Sequence, residues 1–351
     1  MCKVTIAIAV YNLEDYIEGS LLSVLDQDFD DLEILVCDDC STDRSLEVVD
    51  RLVKNHENGG KVRVLSTGRN SGTAISRNLA IDNAKGQYLM FLDGDDMLTP
   101  HTISTFYNAI QETEVDLVVG NLLWLSDDES LEEKLAKGAH SKYKPGVLKG
   151  DYAIAEWLKA NRTEFFLAGL VNKLFKTSFL RDNNIRCNPQ HHVVEDQYFA
   201  FRLQFKVRSI CTLSHVCYIY RQRGDSAVHI EISKSRMELY LKVFNDIMSD
   251  FKELKRSNNG APYPPQLYYI LTSRYMHGFV TINVLGSNQL SSSDKKSYLK
   301  QVSSIYDLGF KKEDLIVPSN KVYYSLLKMP GRYWILSAYE AAVRTLHRLR
   351  K

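Results

Sequence analysis

The chain has 351 residues, 44% of them hydrophobic and 25% charged, with 44 Lys and Arg against 43 Asp and Glu. That length suits one large domain with an appendage, or two domains, and a formal net charge of +1 argues against nucleic acid as a partner. Six scattered cysteines exclude a dense disulfide scaffold, and the absence of any run of 18 apolar residues excludes a recognisable membrane-spanning helix.

The N-terminus enters a strand at once, without the pattern of a secretory leader, so the expected location is the cytoplasm, with a peripheral contact on the inner face of the membrane left open. Residues 3–10 are short, apolar and β-branched and read as a buried strand, broken by Tyr11 and Asn12. Tyr16, Ile17, Ser20, Leu21, Val24 and Leu25 then mark one face of a helix. A second buried strand, 32–37, ends in Asp38 and Asp39, and Ser41, Thr42 and Asp43 supply N-cap candidates for the helix that follows. Residues 62–65 are a third strand, and Asn70, Ser71 and Gly72 open another helix that closes at Gly86. Strands alternating with helices over short loops imply crossover units and a mostly parallel sheet. Neither a dinucleotide-binding nor a P-loop glycine pattern is present. Cys37 and Cys40 form a C-x-x-C, with no second pair at zinc-finger spacing.

The stretch 87–96 is an apolar run ending in Asp93, Asp95 and Asp96, three acids within four residues. Such acids repel unless a cation or water lies between them. A turn at the carboxyl end of a strand is where open α/β sheets bind ligands, and oxygen-only donors suit Mg²⁺ or Mn²⁺. A solvated acidic turn is the bland reading. After Pro100 come a helix to about 111 and a strand at 116–120. Residues 126–150 lack an apolar period and read as an excursion or mobile loop. Glu195 and Asp196 open an aromatic helical stripe, where acids also favour the helix dipole, and 216–221 is a late strand. Beyond about 230, long helices follow at 237–254, 266–284, 293–306 and 322–350.

Ala9-Val10-Tyr11-Asn12, Asp38-Asp39 with Cys40 to Asp43, Asn70-Ser71-Gly72 with Arg77-Asn78, Phe91 to Asp96, and Glu195-Asp196 with Phe199 stand in the order seen in family-2 glycosyltransferases. The resemblance covers about residues 3–226 and rests on the ordered set, since each piece alone is weak. It implies an inverting, nucleotide-sugar-dependent enzyme of the GT-A fold: a Rossmann-like, mostly parallel sheet flanked by helices, here with an all-helical C-terminal appendage. The domains expected are a catalytic domain over 1–228 and a helical domain over 229–351. By the same resemblance Asp39 accepts from the uracil ring, with capping as its other reading, and Ala9, Tyr11 and Asn70 lie around the nucleotide. Arg77 lies near the nucleotide, a structural pair with an aspartate such as Asp39 being the alternative. Asp93 contacts ribose and helps hold Mn²⁺ or Mg²⁺, Asp95 is the principal metal ligand, and Asp96 caps the next turn. Asp196 is the general base, supported by Glu195.

Ala9 stands where relatives have Pro, and Cys40 where they have Gly, which counts against a left-handed turn at Cys40. Lys173 and Arg221 meet phosphate on donor or acceptor, or are solvated charges. Arg223 stands where many relatives have a metal-binding His; Arg223 suits the leaving diphosphate, and His229 is a spare candidate. His191 and His192 line an acceptor site, or bind zinc with Glu195. The last helix mixes aromatic and basic residues and suits either an anionic membrane surface or packing on the body. The expected function is transfer of a sugar from a UDP-sugar to a hydroxyl of a surface polysaccharide or lipid-linked glycan. The alternatives are a dead nucleotide-sugar-binding scaffold subunit and a sugar-1-phosphate nucleotidyltransferase. The helical appendage also suits homo-oligomer contacts.

Overall fold

The computed structural model describes residues 2–126, 129–137, 143–161, 169–222, 231–258, 263–268 and 279–309, with Ser325 and Leu336. By internal contacts the chain divides into two compact units, Met1–Ile154 with Ala168–Ser226, and Ala155–Leu167 with Ala227–Lys351.

In the first unit four strands, Val4–Val10 (β1), Leu32–Asp38 (β2), Val62–Ser66 (β3) and Tyr88–Asp93 (β4), lie in the order β3-β2-β1-β4 and pair in parallel. Helices Ile17–Leu25 (α1), Ser45–Asn55 (α2) and Thr73–Asn83 (α3) form the crossovers. Every residue of β2 is buried, as is all of β1 but Ala9 and all of β4 but Asp93, which accounts for their unbroken apolar sequences. The register sets Val10 opposite Asp38 and Ala9 opposite both Cys37 and Asp93. The strands therefore end level, and Tyr11, Asp39 and the acids 93–96 emerge together at one sheet edge.

The second half of the sheet mixes directions. It comprises Met97–Leu98 (β5), Leu117–Ser126 (β6), Gly146–Lys149 (β7), Lys173–Lys176 (β8) and Ser209–Gln222 (β9), with helices Thr102–Thr113 (α4), Leu131–Lys137 (α5), Thr177–Asp182 (α7) and Glu195–Gln204 (α8), while Ala153–Asn161 (α6) belongs to the second unit from Ala155 on. The order continues β4-β8-β6-β9-β5, with β7 beside β9. β8 is antiparallel to both β4 and β6, and β9 runs parallel to β6. Two expectations are corrected here. Residues 126–150 hold α5 and β7 rather than a bare excursion; β7 is an edge strand with mostly exposed side chains, so no apolar pattern marks it. The late strand spans 209–222, because its half-exposed first part lacks the continuous apolar run of its second.

The second unit is helical in its described part: Lys234–Ser257 (α9), Phe279–Gly286 (α10) and Ser292–Val302 (α11). α9 buries Met237, Tyr240, Leu241, Phe244, Ile247, Met248 and Phe251, a stripe at helical spacing. Phe251 packs on Tyr263 and Tyr268 with ring centroids 5.7 and 4.8 Å away. Ser291 and Asp294 close a capping box at the start of α11. Pro265–Tyr268 is a 3-10 turn rather than the start of the long helix expected over 266–284. The expected last helix, 322–350, lies outside the described residues apart from Ser325 and Leu336. Among the described residues no helix is long and apolar enough to cross a membrane.

Candidate active site

The loops after β1 and β2 are laced by side chains. The Asn12 Oδ1 accepts from the Thr42 backbone N–H (2.8 Å), and the Asn12 N–H donates to the Ser41 Oγ (3.1 Å). Ser45 Oγ and the Asp43 carboxylate accept from the Leu13 and Glu14 N–H groups (2.7 and 2.9 Å). Tyr11, in the first of these loops, is 43% exposed. The Asp38 carboxylate accepts from the Cys40 and Ser41 N–H groups, each at 3.1 Å, which closes an Asx turn. Within it Cys40 takes φ +63°, so the turn does require the left-handed region even with Cys in the place of Gly. Cys37 and Cys40 are both free thiols, and burial in β2 pushes the Cys37 thiol up to about 12.

Asp39 is 4% exposed and gathers the loop that precedes α3. Its Oδ1 accepts from the Thr67 hydroxyl (2.7 Å) and the Ser71 N–H (2.9 Å), and its Oδ2 from the Gly72 N–H (2.6 Å). Two carboxylate oxygens offer about four acceptor positions, so one remains, on Oδ2. Asn70, beside this loop, is exposed.

The acidic turn begins where β4 ends. A Cβ on Gly94 would meet the Ala9 carbonyl at 2.7 Å and Leu13 at 2.8 Å, while the Gly94 N–H donates to that carbonyl at 3.0 Å. Glycine is therefore required between Asp93 and Asp95, and the turn lies flat on the end of β1. Asp93 and Asp95 are half-buried, Asp96 fully buried. Asp96 does not cap the next turn. Its Oδ2 accepts from the Tyr218 hydroxyl (2.6 Å) and its Oδ1 from the Arg221 N–H (2.8 Å), both on β9. Burial, then the charges of Asp95 and Asp93, raises the Asp96 carboxyl well above its usual range.

Arg77, on α3, joins the ends of the site. Its Nη2 donates to Asp93 Oδ1 (2.9 Å) and its Nη1 to Glu195 Oε1 (2.6 Å). Its side chain is only 8% exposed, and the two carboxylates hold it charged against desolvation. The structural pairing weighed for Arg77 is thus real, but with Asp93 and Glu195 rather than Asp39. α8, which carries Glu195 and Asp196, is seated by aromatic packing. Phe199 lies 6.3 Å from Phe91 on β4 and 6.0 Å from Phe175 on β8, edge to face. Val194 caps α8 at φ +49°, a strained position for a β-branched residue. Asp196, the residue after Glu195, is partly exposed, and its Oδ1 accepts from the Gln197 N–H (2.8 Å).

Lys173 is not a solvated charge. It is 1% exposed, and its Nζ donates to the carbonyls of Gly169 (2.9 Å) and Val171 (3.1 Å) and to Asn172 Oδ1 (2.9 Å). It holds backbone in place, which argues against a phosphate role. Burial pulls the Lys173 ammonium down to about 7, opposed by the charges of Cys217 and Asp196. The Arg221 guanidinium lies over the Tyr16 ring (5.3 Å to its centroid) and 3.5 Å from the Met97 sulfur, so it is packed against α1 and the acidic turn's exit. His191 is buried against Tyr198 (4.8 Å), while His192 is exposed, 3.9 Å from where a Gly72 side chain would begin. The two rings therefore point apart, and Glu195 is engaged by Arg77, which removes the basis for a zinc site. Among the described residues no three His, Cys, Asp or Glu side chains converge on a cation position. Asp93 and Asp95 nonetheless present hard oxygen donors whose repulsion on buried Asp96 a divalent ion would relieve, and phosphate oxygens and water would complete its shell. Arg223 and His229 lie outside the described residues.

The sequence pattern of the family described as Glycosyl transferase family 2 matches residues 5–169, the part that holds Tyr11, Asp39, Arg77, Asp93 and Asp95. Residues 5–169 form a glycosyltransferase family 2 domain. Over 252 residues it is 30% identical to a poly(ribitol-phosphate) beta-glucosyltransferase of Bacillus spizizenii, covering 71% of this chain and 37% of that protein. Over 260 residues it is 26% identical to the glycosyltransferase GlyG of Streptococcus pneumoniae, covering 70% and 80%. The chain spans about a third of the length of the poly(ribitol-phosphate) beta-glucosyltransferase and of other teichoic-acid relatives that it matches, poly(ribitol-phosphate) beta-N-acetylglucosaminyltransferase TarS of Staphylococcus aureus among them. Its fold is shared with S. aureus TarS 1-349 in complex with UDP-GlcNAc, with a TM-score of 0.67, 20% identity and coverage of 93% and 90%.

Proposed function

We propose that this protein transfers a sugar from a UDP-sugar, with inversion, to a hydroxyl of an anionic cell-surface polymer or lipid-linked glycan, a hexosyl- or N-acetylhexosaminyl-transferase. The observation that carries the reading is the Arg77 clamp, which brings Asp93 at the end of β4 to Glu195, the neighbour of Asp196. That link supports a reading in which donor-side and acceptor-side acids face one space. In this reading Tyr11 covers the uracil ring and the remaining acceptor position of Asp39 takes its N–H, with Ala9 and Asn70 at the rim. Asp93 meets ribose. Asp93 and Asp95 would hold Mn²⁺ or Mg²⁺, which supplies charge neutralisation for the departing diphosphate. Asp196 takes the proton from the acceptor hydroxyl as its oxygen attacks the anomeric carbon. The bond to the diphosphate breaks on the opposite face, so one base suffices. Glu195, held by Arg77, orients that end of α8.

The acceptor class is suggested by relatives named for poly(ribitol-phosphate), a polyol whose free hydroxyls are the natural nucleophiles. The test is a panel of UDP-sugars and acceptors with Mn²⁺ or Mg²⁺. Asp196→Asn is expected to lose about 100-fold or more in kcat and to leave UDP affinity within about twofold. A variant that transfers sugar at the wild-type rate would remove Asp196 from the role of base, and wild-type protein that binds no UDP-sugar would overturn the donor assignment.

A further inference from the structure

The acidic turn has a second fastening besides Arg77, and it comes from a residue that sequence patterns pass over. Tyr218 lies in the middle of β9 and is fully buried. Its hydroxyl donates to Asp96 Oδ2 at 2.6 Å and accepts from the Asp93 backbone N–H at 3.3 Å. One phenolic oxygen thus spans the turn from its first residue to its last. The Asp96 N–H closes the same turn on the Asp93 carbonyl (2.9 Å), and the Arg221 N–H takes the other Asp96 oxygen. Directly after the turn, β5 pairs with β9, Leu98 opposite Tyr218. The turn is therefore sewn to β9 through Asp96, and Asp96 is available for this because it is 1% exposed and faces away from solvent.

The physical need is plain. Asp93 and Asp95 carry like charges on either side of Gly94, and their repulsion pushes such a turn open when no cation sits between them. A hydroxyl that donates to one end and accepts from the other resists that opening without adding charge. We propose that Tyr218 is a positioning residue for the donor site: with Asp96 it holds the backbone of residues 93–96 in the shape that takes the cation and the diphosphate. The inference rests on the UDP-sugar reading above and assigns to Tyr218 no contact with substrate.

The test is Tyr218→Phe, which keeps the ring in its packing and removes only the oxygen, read by titration with UDP plus Mn²⁺ and, in parallel, with uridine. Loss of an outer partner of a metal ligand typically weakens metal affinity about 10- to 100-fold. UDP with Mn²⁺ is expected to bind about tenfold more weakly, and uridine to lose much less, since Asp39 and Tyr11 are untouched and the two ligands share only the Asp93–ribose contact with the turn. Equal binding of UDP by the folded variant, or an equal loss for uridine and UDP, overturns the proposal. If Tyr218→Phe does not fold, Asp96→Asn replaces it; its amide cannot accept at both positions, so the same selective loss is expected. Wild-type protein that binds no UDP overturns the donor reading and this inference together, whereas wild-type binding with an unchanged variant overturns this inference alone.

Discussion

Cys40 carries a side chain through a turn at φ +63°, directly after Asp38 and Asp39 at the end of β2. A left-handed residue other than glycine loses about 1 kcal/mol or more, and the Cys40 sulfur has only long contacts, 3.6 Å to Ser66 Oγ and 4.0 Å to Thr67 Oγ1, to set against that. Cys40→Gly is expected to stabilise the protein by about 1 kcal/mol in urea unfolding, with donor affinity unchanged. Arg77 behaves oppositely. Removing one partner of a buried ion pair strands the others, at a loss of about 3 to 5 kcal/mol. With Asp93 about a third exposed, Arg77→Met is expected near the lower figure. Adding Glu195→Gln to that variant should recover part of the loss, and a double-mutant cycle by chemical denaturation measures it. A purely ligand-binding Arg77 would show neither effect.

At the scale of elements, β8 decides most. Its four residues lie between β4 and β6, antiparallel to both, and deliver Phe175 to the aromatic contact that seats α8. The same strand begins with Lys173, whose buried ammonium ties the Gly169 and Val171 carbonyls and the Asn172 side chain. Its sign with pH follows from burial. The folded state lowers this Lys from 10.5 to about 7, so between those values the unfolded chain binds the extra proton. The destabilisation from burying the charge is complete below pH 7 and is relieved as pH rises towards 10.5. Between pH 7 and 9 the wild type should gain roughly 2 kcal/mol relative to Lys173→Met. Urea melts of both proteins at the two pH values check it; a wild type that gains nothing relative to Lys173→Met as pH rises would show that the ammonium is not desolvated.

At the scale of the whole molecule, every candidate site residue described, from Ala9 to Arg221, falls in the first unit. A ligand that binds only the native state raises stability by about 2.7 kcal/mol at 100 times its Kd. In calorimetry, UDP with Mn²⁺ is therefore expected to shift the transition of the first unit and to leave any separate transition of the helical unit in place. A shift confined to the helical unit would move the donor site out of the sheet edge.

What the sequence determined by itself was local: parallel strands with apolar runs, and the acids at their ends. These are legible because period, turn chemistry and burial act within a few residues of one another. Tertiary structure alone decided the pairings across long separations. Arg77 meets Glu195 and Tyr218 meets Asp96 at sequence distances of 118 and 122 residues, and no local preference encodes either. Lys173 shows the same limit from another side. In sequence it is a charged residue beside Asn172, and only the chain folded around it makes it a buried tie rather than a surface cation, because burial is a property of what packs against a residue.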